Sequence, residues 1–347
     1  MRDLDDRLRE ALAGGEGWVV GGSLRDELLA RPVLDVDVAC REPERVARAF
    51  ARAGGGAPFP LSERHGAWRI ALEDGRTADF TPLVAGIEED LAGRDFTLNA
   101  MARAVGGGEL IDPYDGQVDI AARTIRAVTP RIFEADPLRL LRAVRLEDEL
   151  RFRCDEETEA LVRRHASLAA QPAGERILGE LERLSAAGFR RLAELGLLGP
   201  LGASAGRFDR LDALDSSDFR LVCAFGERLG ELPISRSLDR YARTLLRATP
   251  PADDSAREIH RFRVATEPWA IDALAYLGAT ELEPAIEEAR SHDPAAPLLR
   301  GDELGLPPGP EIGRLLARIA EERAAGTIET RDDALELVRL ERSKQNA

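Results

Sequence analysis

The chain has 347 residues, of which 44% are hydrophobic and 32% are charged. It is therefore long enough for two or three domains and too apolar to be disordered throughout. The formal net charge is −15, which argues against broad electrostatic binding of nucleic acid over the whole surface. The charge is uneven, because residues 151–250 carry 16 basic and 15 acidic side chains. This segment is the part of the chain that repels a polyanion least.

Other features of the composition indicate the cellular compartment. No apolar run approaches the roughly 18 residues of a membrane span, and the N-terminus lacks the apolar core of a signal peptide. The three cysteines are widely spaced, which excludes a disulfide framework and fits a reducing environment. We therefore expect a cytoplasmic protein without a membrane partner. The sequence leaves its oligomeric state open.

The first part of the chain alternates short strands and helices. Residues 17–20 predict a strand that ends in Gly21-Gly22, and residues 23–30 predict a helix with Ser23 as its N-cap. Glycines in such a turn let backbone N–H groups approach a phosphate, and the start of a helix adds partial positive charge. Taken alone, the pattern is more typical of a plain strand-to-helix turn.

Two hairpins are expected farther along. One joins residues 67–72 to 76–82 across Asp74-Gly75, a favoured two-residue turn. The second is expected over residues 102–112, across three consecutive glycines.

Beyond Ala135 only helical patterns remain. Asp136 predicts an N-cap, with Pro137 at the first helical position. Helical periodicity then covers residues 137–150, 156–168, 175–186 and 188–197 and continues to the end of the chain, with breaks at 199–200, 249–251 and 307–310. The sequence thus predicts an α+β protein in which an α/β head of about 130 residues precedes an all-helical remainder.

The strand predicted at residues 33–39 carries a pair of acidic residues. Strict alternation places three apolar side chains on one face and Asp35 and Asp37 on the other. Adjacent carboxylates repel each other unless a proton or a cation compensates, and Mg²⁺ prefers oxygen ligands. Asp79, on the second strand of the first hairpin, adds a third acid, and such a set can hold two metal ions for nucleotidyl transfer. Taken alone, two acids on a strand are more typical of a solvated face.

The glycine turn and acidic pair at residues 21–37 are followed by further characteristic segments. These lie at residues 94–102 (RDFTLNAMA), 111–116 (IDPYDG), 136–145 (DPLRLLRAVR), 175–177 (ERI) and 301–313. In this order they resemble the motifs of the class II tRNA nucleotidyltransferases, or CCA-adding enzymes, and of the related bacterial poly(A) polymerases. The resemblance covers nearly the whole chain.

The resemblance implies a domain organisation and an activity. Residues 1–130 would be a nucleotidyltransferase-type α/β head with a mixed or antiparallel sheet. A helical neck at 131–200 would read the nucleotide base, and a helical body and tail at 201–347 would bind tRNA. The activity would be template-independent addition of C and/or A nucleotides to the 3′ end of tRNA from CTP and ATP, with release of pyrophosphate and with two Mg²⁺ ions as cofactors. We place the path of the tRNA acceptor end on the nearly neutral segment 151–250.

The resemblance also assigns residues to roles. Asp35 and Asp37 would bind the metal ions and, together with Asp79, would be the catalytic acids. Ten residues would bind the nucleotide: Gly21, Gly22, Ser23, Arg25, Arg94, Asp95, Asn99, Asp136, Arg139 and Arg142.

The spacing of Asp136 and Arg139 suggests how a base would be selected. Residues three apart share a helix face, so a carboxylate and a guanidinium can address one planar edge. That pair matches the amino donor and ring-nitrogen acceptor that cytosine and adenine both present. Uracil and guanine present a carbonyl and a ring N–H there, and each mismatch leaves a buried polar group unpaired, at a cost of about 1–3 kcal/mol. In isolation, Asp136 would be only an N-cap.

The sequence departs from the family pattern at two positions near these residues. Gly93 stands where the family usually has the first of two arginines, and Ala135 stands where it usually has a glutamate. The alternatives that stay open are a CC-adding or A-adding enzyme, a poly(A) polymerase, a non-catalytic RNA-binding paralogue, and a nucleotidyltransferase for a small-molecule or protein hydroxyl. The acidic segment 251–347 disfavours the polymerase, which tends to carry a basic C-terminal extension.

Overall fold

The structure is a computed structural model that describes residues 2–54, 56–62, 66–72, 74–203 and 206–345. The chain divides into two compact units, Met1–Leu201 and Gly202–Ala347. Within the described ranges, no helix combines the length and the apolar content needed to cross a bilayer.

The first unit contains eight strands and ten α-helices among its described residues. The strands are β1 (Gly17–Val20), β2 (Asp35–Cys40), β3 (Pro58–Ser62), β4 (Ala67–Ala71), β5 (Thr77–Pro82), β6 (Ala102–Ala104), β7 (Thr124–Ile125) and β8 (Arg153–Cys154). The helices are α1 (Arg2–Leu12), α2 (Gly22–Leu28), α3 (Pro43–Gly54), α4 (Ile87–Ala92), α5 (Gly116–Ala122), α6 (Ile132–Ala135), α7 (Arg139–Leu150), α8 (Glu156–His165), α9 (Gly174–Leu181) and α10 (Ala186–Glu194).

Six of the strands form one mixed sheet in the order β3-β4-β5-β2-β1-β6. Strands β2 and β5 are parallel, and the other neighbouring strands are antiparallel. The register places Asp37 of β2 beside Asp79 of β5, and Asp79 in turn opposite Arg69 of β4. Three charged residues therefore form a row across three adjacent strands. The expected mixed sheet in the head is confirmed.

Alternation along the strands explains which face of the sheet is covered. Val36 and Val38 of β2 are buried, whereas Asp35 is exposed. Helix α3 packs on β2 and β5, and its Phe50 ring lies 5.6 Å from the ring of Phe80, with both side chains fully buried. Burial of such side chains contributes about 1.5–3 kcal/mol each and fixes the register, since a slip of one residue would bury the acids instead.

Two predicted helix starts are wrong. Helix α2 begins at Gly22, and the Ser23 hydroxyl donates to the carbonyl of Val20 at 3.1 Å instead of capping the helix. The positive φ of Gly21 turns the chain one residue earlier than predicted. Helix α7 begins at Arg139, two residues later than predicted, because the backbone bonds that precede it, from Arg139 to Asp136 and from Leu140 to Pro137, span three residues rather than four. The predicted cap bond is present, since Asp136 accepts from the N–H of Leu138 at 3.2 Å.

Two predictions about strands hold only in part. The hairpin expected over residues 102–112 consists of β6 and a single bridge between Ala102 and Ile111. The segment after Ala135 contains one short strand, β8, which pairs with β7. The hairpin across Asp74-Gly75 is confirmed as β4 and β5, but its register, with Arg69 opposite Asp79, is one residue off that of the predicted two-residue turn.

The described residues of the second unit form helices and connecting loops, with no strand among them. Its helices are α11 (Ser217–Phe225), α12 (Arg236–Arg247), α13 (Ala256–Thr266), α14 (Ala270–Leu277), α15 (Glu283–Ser291), α16 (Pro310–Ala324) and α17 (Arg331–Gln345). The breaks predicted at 249–251 and 307–310 fall between α12 and α13 and at the start of α16, as expected.

Candidate active site

A cavity of about 600 Å³ in the first unit contains most of the predicted site. It is lined by Asp35 and Asp37 and by all ten residues predicted to bind the nucleotide: Gly21, Gly22, Ser23, Arg25, Arg94, Asp95, Asn99, Asp136, Arg139 and Arg142. Asp79, the third predicted acid, is not among the described residues that line it. The fold thus brings the predicted residues from Gly21 to Arg142, which are 121 positions apart in the sequence, to one cavity.

Gly21 lies where two charged side chains of this cavity approach the backbone closely. Its backbone has φ 76° and ψ −142°, a conformation that residues with a Cβ rarely adopt. A Cβ at this position would lie 2.7 Å from Nη1 of Arg94 and 3.1 Å from Oδ2 of Asp37. Glycine is therefore required both by the turn and by the close approach of two charged side chains.

The acidic pair of β2 lies at the edge of the cavity. Asp35 accepts a hydrogen bond from the Thr77 hydroxyl at 2.6 Å. Burial raises the pKa of Asp37 against the effect of Arg94, and the charges of Asp79 and Asp35 raise it further. No residue that the structure describes donates a hydrogen bond to the Asp37 carboxylate. A confined carboxylate without donors, beside a second carboxylate, is a hard-oxygen donor set that fits Mg²⁺.

Asp79 is engaged elsewhere. Arg69 donates to both of its oxygens, from Nε to Oδ1 at 2.7 Å and from Nη2 to Oδ2 at 2.6 Å. Within the described ranges, no group of three or more histidine, cysteine or acidic side chains is arranged to hold a metal ion. The sheet register thus places Asp79 beside Asp37, but the Asp79 carboxylate is bound by Arg69.

A chain of polar contacts crosses the floor of the cavity. Arg25 donates to Oδ1 of Asn99 at 2.8 Å, and Asn99 donates to Oδ1 of Asp95 at 3.0 Å. The other oxygen of Asp95 lies 2.9 Å from Nη2 of Arg142. Burial alone would raise the pKa of Asp95, but Arg142 together with donors from Asn99 and Phe96 holds it below its ordinary value. Helix α2, the turn at Thr97–Asn99 and helix α7 are thereby fixed to one another.

The two residues predicted to read the base lie at the start of α7. Both Nη atoms of Arg176 donate to Asp136, at 3.3 and 2.8 Å, and the backbone N–H of Leu138 donates at 3.2 Å. Nη2 of Arg139 donates to the carbonyl of Gly93 at 2.6 Å. Burial lowers the pKa of Arg139, although the charges of Asp95 and Asp136 oppose this shift. The departure at position 93 is therefore in direct contact with a predicted base-reading side chain.

Sequence reasoning missed one end of the cavity. Glu149 accepts from Arg145 at 2.8 Å and also forms ion pairs with Arg31 at 3.4 Å and Arg183 at 3.5 Å. Among these residues only Arg145 could be noticed in the sequence, because it is the third of the arginines that recur every three residues from Arg139. The other contacts join residues that the fold alone brings together.

Helix α12 carries a second concentration of positive charge, in the second unit. Arg236, Arg240, Arg243 and Arg247 recur at intervals of four, three and four residues and are all exposed, while the opposite face of the helix is buried. Arg243 pairs with Asp239 at 3.0 Å. The other three side chains form no ion pair or hydrogen bond with any described residue. We call these four residues the α12 arginine row.

Comparison with protein families and curated proteins gives consistent matches. The family model described as the poly A polymerase head domain matches residues 17–83 and 68–126. The CC-adding tRNA nucleotidyltransferase of Thermus thermophilus is 30% identical over 402 aligned residues, which cover 92% of each chain. The CC-adding enzyme of Geobacter sulfurreducens is 47% identical over 175 residues, and the A-adding enzyme of Deinococcus radiodurans is 42% identical over 190. These two alignments cover 49% and 52% of this chain but only 41% and 43% of the relatives, so the chain spans under half of their length.

Solved structures show the same fold. The CCA-adding enzyme of Thermotoga maritima complexed with tRNA matches with a TM-score of 0.75 at 21% identity, covering 98% of this chain and 95% of the other. The CCA-adding enzyme of Bacillus stearothermophilus in complex with CTP matches with a TM-score of 0.76 at 26% identity, covering 99% and 97%.

Proposed function

Because this chain belongs to the family of tRNA nucleotidyltransferases and poly(A) polymerases, we propose that it adds C and/or A nucleotides to the 3′ end of tRNA from CTP and ATP. The reaction needs no template and releases pyrophosphate. The observation that carries the proposal is the single cavity that holds the acidic pair and all ten expected nucleotide-binding residues. Relatives that add CC and relatives that add A both match, so an assay decides which nucleotides this chain adds.

The acidic pair supports the chemistry of transfer. Asp35 and Asp37 are the residues that would hold Mg²⁺, since Asp37 is confined and without donors among the described residues. When bound, the metal ions supply charge compensation for the triphosphate and make the 3′-hydroxyl of the RNA easier to deprotonate. Asp79 remains the expected third acid. The strand itself contributes orientation, because β2 fixes both carboxylates at one edge of the cavity.

The cations around the glycine turn support phosphate binding. Arg94 lies beside Gly21 and is held by Asp90, which accepts from its Nε and Nη2 at 3.0 and 2.9 Å. Its Nη1 is thus free of that pair and faces the cavity. Arg25 and Arg142 are anchored by Asn99 and Asp95. Anchored arginines lose little freedom when an anion binds, which favours affinity.

Asp136 and Arg139 support selection of the base. Arg176 donates to both oxygens of Asp136 and so orients the carboxylate as an acceptor for a base amino group. Among the described residues, the Arg139 side chain has only the Gly93 carbonyl as its acceptor, and it can exchange that acceptor for a ring nitrogen. Cytosine and adenine satisfy both groups, whereas uracil and guanine leave them unpaired.

The α12 arginine row supports an RNA partner. In this chain the exposed arginines of most helices pair with neighbouring acids, for example Arg48 with Glu44 and Arg163 with Glu159. Three cations on one helix face without such partners keep their full attraction for phosphates. The row lies within residues 151–250, the segment in which we place the acceptor-end path.

Incorporation of labelled nucleotides tests the proposal directly. The protein is incubated with Mg²⁺, tRNA lacking its 3′ CCA, and one labelled triphosphate at a time, and products are resolved nucleotide by nucleotide. We expect C and/or A to be added, with no addition of U or G. Replacing Asp35 and Asp37 by alanine should abolish incorporation, whereas Asp74→Ala, an exposed acid in the turn between β4 and β5, should not.

Two outcomes would contradict the proposal. Incorporation that survives the Asp35 and Asp37 replacements would show that another site performs the reaction. Tight binding of tRNA without incorporation of any nucleotide would favour the non-catalytic RNA-binding alternative.

A further inference from the structure

Arg69 belongs to none of the segments that carry the family resemblance, yet it donates to both oxygens of Asp79, which lies beside Asp37 in the sheet. We propose that Arg69 is a positioning residue that acts as a built-in counter-charge: by holding Asp79 it sets the metal affinity of Asp35 and Asp37. This inference rests on the metal-binding part of the proposed function. It goes beyond that function because it assigns a role to a residue on a different strand.

The register of the sheet places the groups in line. Arg69 on β4 lies opposite Asp79 on β5, and Asp79 lies beside Asp37 on β2. Arg69 donates to both Asp79 oxygens, at 2.7 and 2.6 Å. A carboxylate that accepts one hydrogen bond at each oxygen keeps a further lone pair on each, but the guanidinium charge beside it opposes a metal ion there.

The pair is only partly exposed. The side chain of Arg69 is 35% exposed and that of Asp79 is 10% exposed. Because Asp79 is mostly buried and held at both oxygens, loss of Arg69 leaves a buried carboxylate unpaired and lowers the free energy of unfolding. Thermal unfolding therefore establishes that Arg69→Gln is folded before its metal affinity is compared.

The charges of the region explain the direction of the effect. Asp35, Asp37 and Asp79 are three acids on adjacent strands, and Arg69 reduces their summed charge by one. The hydrogen bond to Asp79 raises the pKa of Arg69, and the charges of Asp35 and Asp37 raise it further, so the field of all three acids acts on this one cation. Its charge opposes the entry of any second cation.

A rough magnitude follows from the sheet geometry. Arg69 and Asp37 are two strands apart, or about 10 Å. At that distance in water, repulsion between the Arg69 guanidinium and a divalent cation lowers the affinity for the cation about fourfold. The effect is larger where the dielectric constant is lower. We expect a change of about threefold to tenfold at low ionic strength, since salt screens charges at this distance.

Binding of Mn²⁺ to the protein, without nucleotide or RNA, tests the inference. Free Mn²⁺ is measured by electron paramagnetic resonance at low salt, and folding is checked by thermal unfolding. Arg69→Gln should bind Mn²⁺ about threefold to tenfold more tightly than the original chain. Arg69→Lys keeps the charge and should bind as the original does. Asp79→Asn leaves the cation unbalanced and removes a charge only one strand from Asp37, so it should bind at least about tenfold more weakly.

The double variant with Arg69→Gln and Asp79→Asn separates the inference from a direct ligand role of Asp79. A counter-charge predicts that the double variant binds more tightly than Asp79→Asn alone but does not fully regain the original affinity, because Asp79 is one strand from Asp37 and Arg69 is two strands away. An affinity as weak as that of Asp79→Asn alone, or an unchanged affinity in both Arg69→Gln and Asp79→Asn, would overturn the inference.

The same measurement distinguishes this inference from the proposed function. If replacing Asp35 and Asp37 abolishes Mn²⁺ binding while Arg69→Gln changes nothing, the counter-charge alone is refuted. If those replacements leave Mn²⁺ binding intact, the metal assignment fails and the counter-charge fails with it.

Discussion

Replacement of Gly21 by alanine should impair catalysis far more than folding. The backbone there has φ 76° and ψ −142°, so a residue with a Cβ is strained by about 1–3 kcal/mol. The new Cβ would also lie 2.7 Å from Nη1 of Arg94 and 3.1 Å from Oδ2 of Asp37. Since ordinary contacts lie at about 3.5–4.0 Å, one of these groups must move by about 1 Å. A displacement of that size in an active site can lower the rate about 100-fold.

Gly226 offers a matched control for the strain alone. Its backbone has φ 55° and ψ −134°, in the same region as Gly21, but no described atom lies within 4 Å of the position of its Cβ. Both Gly21→Ala and Gly226→Ala should lower the free energy of unfolding of their own unit by about 1–3 kcal/mol in urea titrations. Only Gly21→Ala should lower kcat/KM for nucleotide incorporation, by about 100-fold.

Equal values of kcat/KM for Gly21→Ala and Gly226→Ala in the incorporation assay would contradict this prediction. Equal losses would mean that backbone strain, rather than crowding of Arg94 and Asp37, controls the rate. Full activity of Gly21→Ala would mean that the glycine turn has no part in the reaction.

Three further predictions follow from other contacts. Asp136→Asn should reduce the preference for CTP over UTP about tenfold, since an amide can present either a donor or an acceptor, and the ratio of kcat/KM values measures this; an unchanged ratio would exclude Asp136 from base selection. Replacing Arg240 and Arg247 of the α12 arginine row by glutamate should weaken tRNA binding at least tenfold and reduce the salt dependence of log Kd by about 1.4–1.8; unchanged binding would place the RNA elsewhere. The hydrogen bond from Arg257 lowers the pKa of Glu322 from 4.5 to about 2. The stabilisation by this carboxylate is therefore present above pH 4.5 and lost as the pH falls towards 2. Glu322→Gln should accordingly lower the Tm of the second unit at pH 7 and make little difference near pH 2, and an equal effect at both pH values would contradict this assignment.

The strands of the head could be predicted because their signals are local. Strict alternation at residues 33–39 marks β2, and the Asp74-Gly75 turn marks the hairpin of β4 and β5. Both depend on side-chain alternation and turn chemistry within a few residues. The acidic pair was predicted for the same reason, because side chains two residues apart on a strand lie on the same face of the sheet.

Helix starts were predicted less well because capping depends on the surroundings. Ser23 has the side chain of an N-cap, but the conformation of Gly21 starts the helix before it. Asp136 accepts from the N–H of Leu138 as a cap does, but Arg176 from α9 also binds its carboxylate, and α7 begins only at Arg139. A preference worth about 1 kcal/mol at a cap is readily outweighed by such tertiary contacts.

The gathering of the nucleotide-binding residues was expected from the family resemblance, whereas most ion pairs around them were not. Glu149 has Arg31 and Arg183 as partners in the fold, and nothing in the spacing of these residues distinguishes them from dozens of other charges. The pair of Arg69 and Asp79 was missed for a different reason. A two-residue turn at Asp74-Gly75 would place Asp79 opposite Ile70, whereas the structure places it opposite Arg69, so the predicted register was off by one residue.

The chain of contacts from Arg25 through Asn99 and Asp95 to Arg142 has a consequence for mutational studies. Each member holds its neighbour through a buried group, so removing one leaves the next without its partner. Single replacements should then each cost nearly as much as the removal of several members together. The sum of the separate losses would exceed the total that the chain contributes. Double-mutant cycles, rather than an alanine scan, are the measurement that apportions the work of these four side chains.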